Sequence, residues 1–228
     1  MEMKLWTGIC LGFILLLLGA CSSNTASSKN EFLLEQFNLI FNKKEIGEQV
    51  NPRNIITRSM IDKSNIPLIL IEILNRDQTA TMSAFPGSTL NDVWLGTDGS
   101  TVTTKDGLLF ATRGMSHDLM GANAGAARSG LENTLRGQKL PDHQRRYKYL
   151  SEDNKDNIIE FSCFFSKEGQ ETILIFEKPY ETTHVTEICE NDKFRFQNEY
   201  WIEKTNIIRK SRQWHGYNIG LILIERLI

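Results

Sequence analysis

Val93 to Thr112 reads VWLGTDGSTVTTKDGLLFAT, and its punctuation decides the fold class. Val93-Trp94-Leu95-Gly96, Ser100 to Thr104 and Leu108 to Thr112 are short runs rich in β-branched and apolar residues. Asp98-Gly99 and Asp106-Gly107 separate them. Asp-Gly supplies the positive φ values of a tight hairpin turn, so the three runs predict a β-meander. On the N-terminal side, Thr79 to Phe85 is a further strand, closed by a turn at Pro86-Gly87. Ile66 to Leu74 (IPLILIEIL) has no period-two alternation and predicts a strand buried on both faces.

Past the meander, Arg113 to His143 is rich in Gly, Ala, Asn and Ser and breaks the strand rhythm. Within it, Gly125 to Arg136 predicts one helical turn or two, with Leu131 and Leu135 on one face. A loop this long is unusual in a compact domain and is either functional or a surface excursion. Strands return at Arg145 to Leu150, Ile158 to Phe165, Thr172 to Glu177 and Thr182 to Cys189, with turns read at 154–157 and at Glu168-Gly169. Phe194 to Ile202, Ile207 to Trp214 and Ile219 to Leu227 complete the series, and the last (IGLILIERLI) is again apolar on both faces. Strands at roughly ten-residue spacing with little helix predict a mainly β fold, an antiparallel curved sheet that is barrel-like or a sandwich.

At the other end of the chain, Leu11 to Ser23 (LGFILLLLGACSS) is an apolar run too short to span a bilayer. It ends in small residues before Cys21. Leu-Gly-Ala-Cys resembles a bacterial lipobox. This predicts a signal peptide over 1–20, lipidation of Cys21, a flexible polar tether over 21–29 and a single β-rich periplasmic domain over 30–228. Ser22 beside the cysteine resembles the pattern that directs such proteins to an outer membrane. A short amphipathic helix follows, with Leu33, Phe37, Ile40 and Phe41 at helical spacing, expected to pack on or inside the sheet.

The 228 residues are 40% hydrophobic and 24% charged with a net charge of −2, so a sizeable core is expected and a nucleic-acid partner is not. Cys163 and Cys189 lie outside the signal. Secretion puts them where disulfides persist, which predicts a bond between them. No phosphate-binding glycine loop, nucleophile elbow or zinc-type histidine pair is present. His117, His143, His184 and His215 are dispersed, so no cofactor, metal or catalytic residue is assigned. His117-Asp118 is the most tempting acid–base pair, but neighbours on an extended chain point opposite ways.

Aromatic residues give the candidate surface. On period two, Phe194, Phe196, Asn198, Tyr200 and Ile202 share one face, with Asn198 the polar exception. Arg195, Gln197, Glu199, Trp201 and Glu203 share the other. Trp201 and Trp214, with Arg195, Arg212, Gln213 and Trp94, form an aromatic-basic ligand or partner patch if that second face is open, and ordinary core if it is covered.

Phe194-x-Phe196-x-Asn198-Glu199-Tyr200-Trp201-Ile202 and Lys210-Ser211-Arg212-Gln213-Trp214 resemble the C-terminal signature of the YjbF/GfcB lipoproteins. Trp94-Leu95-Gly96 and Asp106-Gly107-Leu108, within Pro67 to Thr112, are also similar to that family. The resemblance implies an outer-membrane, periplasm-facing lipoprotein with a mainly β, barrel-like fold. It also implies a role in making or exporting a surface polysaccharide, as in exopolysaccharide and group 4 capsule production, with no known catalytic residues. The expectation is a non-enzymatic accessory factor, held to the membrane by its N-terminal lipid and contacting polysaccharide or export-machinery proteins. The alternative is a periplasmic carrier or chaperone for a lipid or acyl chain held in the curved sheet. An aromatic and polar concave face favours the first, and a Leu/Ile/Phe-lined one the second.

Overall fold

The computed structural model describes residues 51–85, 87, 92–138 and 142–228. The expected signal peptide, Cys21, the expected tether, the helix expected over 32–41 and Pro86 of the expected turn lie outside the described residues. A 3-10 turn at Pro52–Asn54 and a short helix α1 (Arg58–Lys63) precede the sheet. Twelve strands follow. The first five are β1 (Leu68–Ile73), β2 (Gln78–Ala84), β3 (Asp92–Gly96), β4 (Thr101–Lys105) and β5 (Leu108–Arg113). After β6 (Gly121–Ala122) and helix α2 (Gly125–Leu135) come β7 (His143–Leu150), β8 (Asp156–Ile175) and β9 (Lys178–Glu190). β10 (Arg195–Glu203), β11 (Ile208–Gly216) and β12 (Gly220–Arg226) end the chain.

All twelve strands join one sheet in the order β5-β4-β3-β2-β1-β12-β11-β10-β9-β8-β7-β6. Every neighbouring pair except β1–β12 is consecutive in the chain, with α2 lying between β6 and β7, and every pairing is antiparallel. The sheet curls until its ends approach. Thr112 at the end of β5 donates its N–H to Leu119 O just before β6, at 2.9 Å. Elsewhere along β5, a side chain stands in for a neighbouring strand. Gln213 on β11 accepts from Leu109 N–H at 2.8 Å and donates to Gly107 O at 3.0 Å. An exposed strand edge invites aggregation, and here near-closure and an amide side chain satisfy it. Asp106 and Gly107 have φ of 52° and 82°, the two positive values a tight hairpin needs. Gly107 is also a site of close approach, since a Cβ there would lie 2.9 Å from Ile208.

β1 and β12, the two runs without alternation, pair with each other, Ile71 opposite Ile224. Their odd-numbered isoleucines Ile69, Ile71 and Ile73 join the main core with Met82, Trp94, Val102 and Ile222. On the remaining positions Leu68 and Leu70 are also buried, and Arg53 bridges Glu72 and Glu225 at 3.2 and 2.9 Å. The ion pairs tie the segment before α1 to the sheet.

Two readings of the chain are corrected. The sequence places a turn at Glu168-Gly169, but β8 runs through it for 20 residues with only a bulge between Lys167 and Gly169. Glycine inside a strand marks a bulge as readily as a turn. The true reversal uses Phe176 and Glu177, at φ 46° and 65°, residues with no turn signature. Within the long connection, α2 makes about three turns in its 11 residues, rather than one or two. Leu131 is buried and Leu135 packs beside it, against Val185, Tyr200, Ile202 and Ile208.

Candidate functional site

The six residues of the expected patch do not meet on an open face. Trp214 is buried in an aromatic cluster, stacked on Phe196 at 4.5 Å and edge-on to Tyr147 and Phe161 at 4.9 and 5.3 Å. The β10–β11 ladder ends at the Glu199–Arg212 pair. Beyond it the Trp214 N–H goes to the Asn198 side chain at 2.7 Å. Trp201 does lie on the charged face, but that face is covered there. Its indole stacks on His184 at 4.6 Å, Lys210 and Arg212 flank it, and its N–H reaches Glu171 Oε2 at 2.8 Å. The bulged β8 brings Glu171 over it, and only 5% of Trp201 remains exposed.

Trp94 is core, its N–H on Thr104 Oγ1 at 3.1 Å, and Gln213 is wholly buried at the β5 edge. Arg195 stands well exposed beside Glu190, and Arg212 pairs with Glu199. The aromatic-basic patch therefore does not form, because both tryptophan faces are already occupied.

In its place the interior holds an ionisable network that composition gave no reason to single out. Glu187 on β9 is fully buried. Its Oε1 receives His143 Nε2 at 2.7 Å, and its Oε2 receives Asn198 Nδ2 and Tyr200 OH at 2.7 and 2.8 Å. Arg145 lies 3.8 Å from Oε1 and also donates to Tyr147 OH. Burial pushes the Glu187 carboxyl up, but Arg145 and the hydrogen bonds outweigh it and hold the pKa near about 2. His143, Cys163 and Glu187 place ligand-type atoms within 4.8 Å of one another. The Cys163 sulfur is spent in the disulfide, so it offers no thiolate. That bond, Cys163–Cys189, joins directly opposed residues of β8 and β9 with Cα atoms 4.1 Å apart, as expected from the sequence.

A cleft of about 350 Å³ with mixed chemistry lies at one end of the sheet, between the β11–β12 turn, the 116–118 loop and the β7–β8 hairpin. Ile159 and Ile219 give it an apolar floor, and Asn157 and Asn218 bring amides to it. Tyr217 stands at its rim, 54% exposed, with the Phe194 and Trp214 rings packed against it at 5.1 and 5.4 Å. Tyr149 forms a wall, its hydroxyl donating to His215 O. Gly216 permits that approach, since a Cβ would meet the Tyr149 hydroxyl at 3.0 Å.

His117 and Asp118 both border the cleft but do not act as a pair. The Asp118 carboxylate is committed to its own loop, accepting Gly114 and Met115 N–H, each at 2.9 Å. His215 is buried in the wall with Nε2 2.8 Å from Thr112 Oγ1. Burial lowers its pKa to about 4, with Asp118 opposing the shift and Arg76 adding to it, so the ring is neutral at neutral pH.

The signature residues quoted above thus sit inside a near-closed antiparallel sheet, and a family model matches that sheet and the chain leading into it. Described as group 4 capsule polysaccharide lipoprotein gfcB, YjbF, it covers residues 30–227. The chain belongs to the YjbF family. The fold is also similar to that of the hypothetical lipoprotein YmcC from Escherichia coli K12. The TM-score is 0.66 at 21% identity, over 77% of this chain and 90% of that one. No curated protein matches the chain.

In this YjbF-family lipoprotein, the family signature is largely a core signature: Phe196, Asn198, Tyr200, Trp201, Gln213 and Trp214 are all buried. No described helix is long and apolar enough to cross a membrane. The residues that sequence reasoning missed are Arg145, Glu187, Tyr149 and Tyr217. One signal was available for Glu187. Asn198 interrupts the apolar face of β10, and its cross-strand partner is Glu187.

Proposed function

We propose that this lipoprotein is a non-enzymatic accessory factor in the production or export of capsule polysaccharide, anchored through Cys21 to the outer membrane and facing the periplasm. The observation that carries the reading is the family match over residues 30–227, which supplies the process. A binding role, as opposed to turnover, is supported by the use made of the strongest ionisable cluster. Glu187 and Arg145 are sealed in the core with both carboxylate oxygens taken, the arrangement of a structural network. A carrier for an acyl chain is less well supported. Tyr147, Phe161, Phe196 and Trp214 pack against one another where an apolar ligand would need room.

The test is genetic. Cell-surface capsule is measured in a deletion strain complemented with the native gene or with Cys21→Ser. Capsule lost on deletion, restored by the native gene and not by Cys21→Ser, supports the reading. Unchanged capsule in the deletion strain contradicts it.

A further inference from the structure

We propose that the cleft at the end of the sheet binds a short run of pyranose units of the polysaccharide, with Tyr217 as the stacking platform. The proposal rests on the accessory reading above and adds to it a site and a ligand class. Tyr217 is more than half exposed at the rim of the cleft, so its ring is accessible to a ligand there. Here the ring does not swing free. Phe194 and Trp214 pack against it at interplanar angles of 70° and 82°, so neither ring lies flat over it and a face is left for a partner. Holding the ring beforehand removes part of the ordering cost that binding otherwise carries.

The ligand class follows from what surrounds the ring. A pyranose has an apolar C–H face and a rim of hydroxyls. The cleft offers an aromatic face, an apolar floor at Ile159 and Ile219, and the neutral amides of Asn157 and Asn218. Its fixed charges are already used. The Asp118 oxygens accept backbone N–H groups of their own loop, and the His215 ring is neutral, with its Nδ1 unpartnered among the described residues. Such a lining suits a hydroxyl-rich ligand better than a phosphate or a polycation.

Size points the same way. At about 350 Å³ the cleft falls at the small-ligand end of binding pockets, about 300–1,000 Å³. A stable protein partner would need a face of about 800 Å².

The experiment uses the full lipoprotein in detergent micelles and oligosaccharides made by partial hydrolysis of the strain's own capsule. Binding is followed calorimetrically. Saturable binding is expected, weakened about tenfold or more by Tyr217→Ala at an unchanged unfolding temperature, and largely kept by Tyr217→Phe, which retains the ring. Absence of saturable binding by the native protein, or equal binding by Tyr217→Ala, overturns the proposal. So does capture of a protein partner through Tyr217 without any affinity for the oligosaccharides. Loss of capsule on gene deletion combined with no oligosaccharide binding sinks this site while leaving the accessory reading standing. Unaltered capsule on deletion sinks the accessory reading whatever the cleft binds.

Discussion

Trp214 and Tyr217 lie three residues apart at the end of one hairpin, and they are used in opposite ways. Trp214 is 3% exposed and packs against five aromatic rings, Tyr147, Phe161, Phe194, Phe196 and Tyr217. Tyr217 is 54% exposed and rests on that cluster through near-perpendicular contacts with Phe194 and Trp214. The first ring stabilises the fold, while the second is positioned by it. The difference teaches that residue type does not mark the binding surface here. Coverage does, and coverage depends on elements far away in the chain, such as the β8 bulge that carries Glu171 over Trp201.

The contrast breaks most visibly by truncation. Trp214→Ala should cost about 3–5 kcal/mol of unfolding free energy, the usual range for a buried tryptophan. Trp201→Ala should cost nearly as much although it lies on the charged face. Chemical denaturation of the purified variants measures both. A cost below ~1 kcal/mol at Trp201 would mean that its cover is not in place in solution.

The disulfide sharpens the comparison on the buried side. Cys163 and Cys189 are 26 residues apart and wholly buried. Replacing both with alanine should lower stability by about 3–4 kcal/mol in the chain-entropy model. It should leave oligosaccharide binding at the cleft intact under folding conditions. Thiol titration of the unreduced, denatured protein should find neither cysteine free.

Acid should also separate core from surface. His215 is held neutral, its pKa lowered from the ordinary 6.5 to about 4, so below about pH 6.5 the unfolded chain takes up a proton that the folded chain refuses. Stability should therefore fall as pH drops through this window, by up to about 3 kcal/mol, and level off below pH 4 for this group. Glu187 adds a second fall, beginning near pH 4.5 and running down through about pH 2 as its ion pair is protonated away. Thermal midpoints recorded between pH 7 and pH 3 check both. His215→Asn should remove the upper limb and leave the lower one.

Much of this fold is legible in the sequence. The Asp-Gly turns fix the first meander, and alternation assigns the faces of β10 correctly, with Phe196, Asn198 and Tyr200 inward and Trp201 outward. The signal peptide expected over 1–20 argues for the disulfide that the structure contains. What alternation does not carry is whether an outward face stays open. That is why Trp201 reads as surface and is in fact buried. Charged residues fail in the opposite direction. Arg145 and Glu187 look like solvent-facing strand residues, and only their mutual pairing, with His143, Asn198 and Tyr200, makes burial tolerable. The α1 helix escapes notice because six residues carry too little periodicity to read. Tyr217 falls in the gap between the strands read at Ile207 to Trp214 and Ile219 to Leu227. Its role depends on Phe194, Trp214 and the cleft beside it, which only the folded sheet brings together.

Tyr217→Ala is the smallest change in stability and the most informative one. An exposed ring at a turn should cost no more than about 0.5 kcal/mol when removed. The decisive measurement takes the unfolding midpoint and the capsule-oligosaccharide affinity from the same preparation of this variant, beside Trp201→Ala. The account predicts a native midpoint with affinity down about tenfold or more for Tyr217→Ala, and a lowered midpoint with affinity kept in the folded fraction for Trp201→Ala. Native affinity in Tyr217→Ala would contradict it.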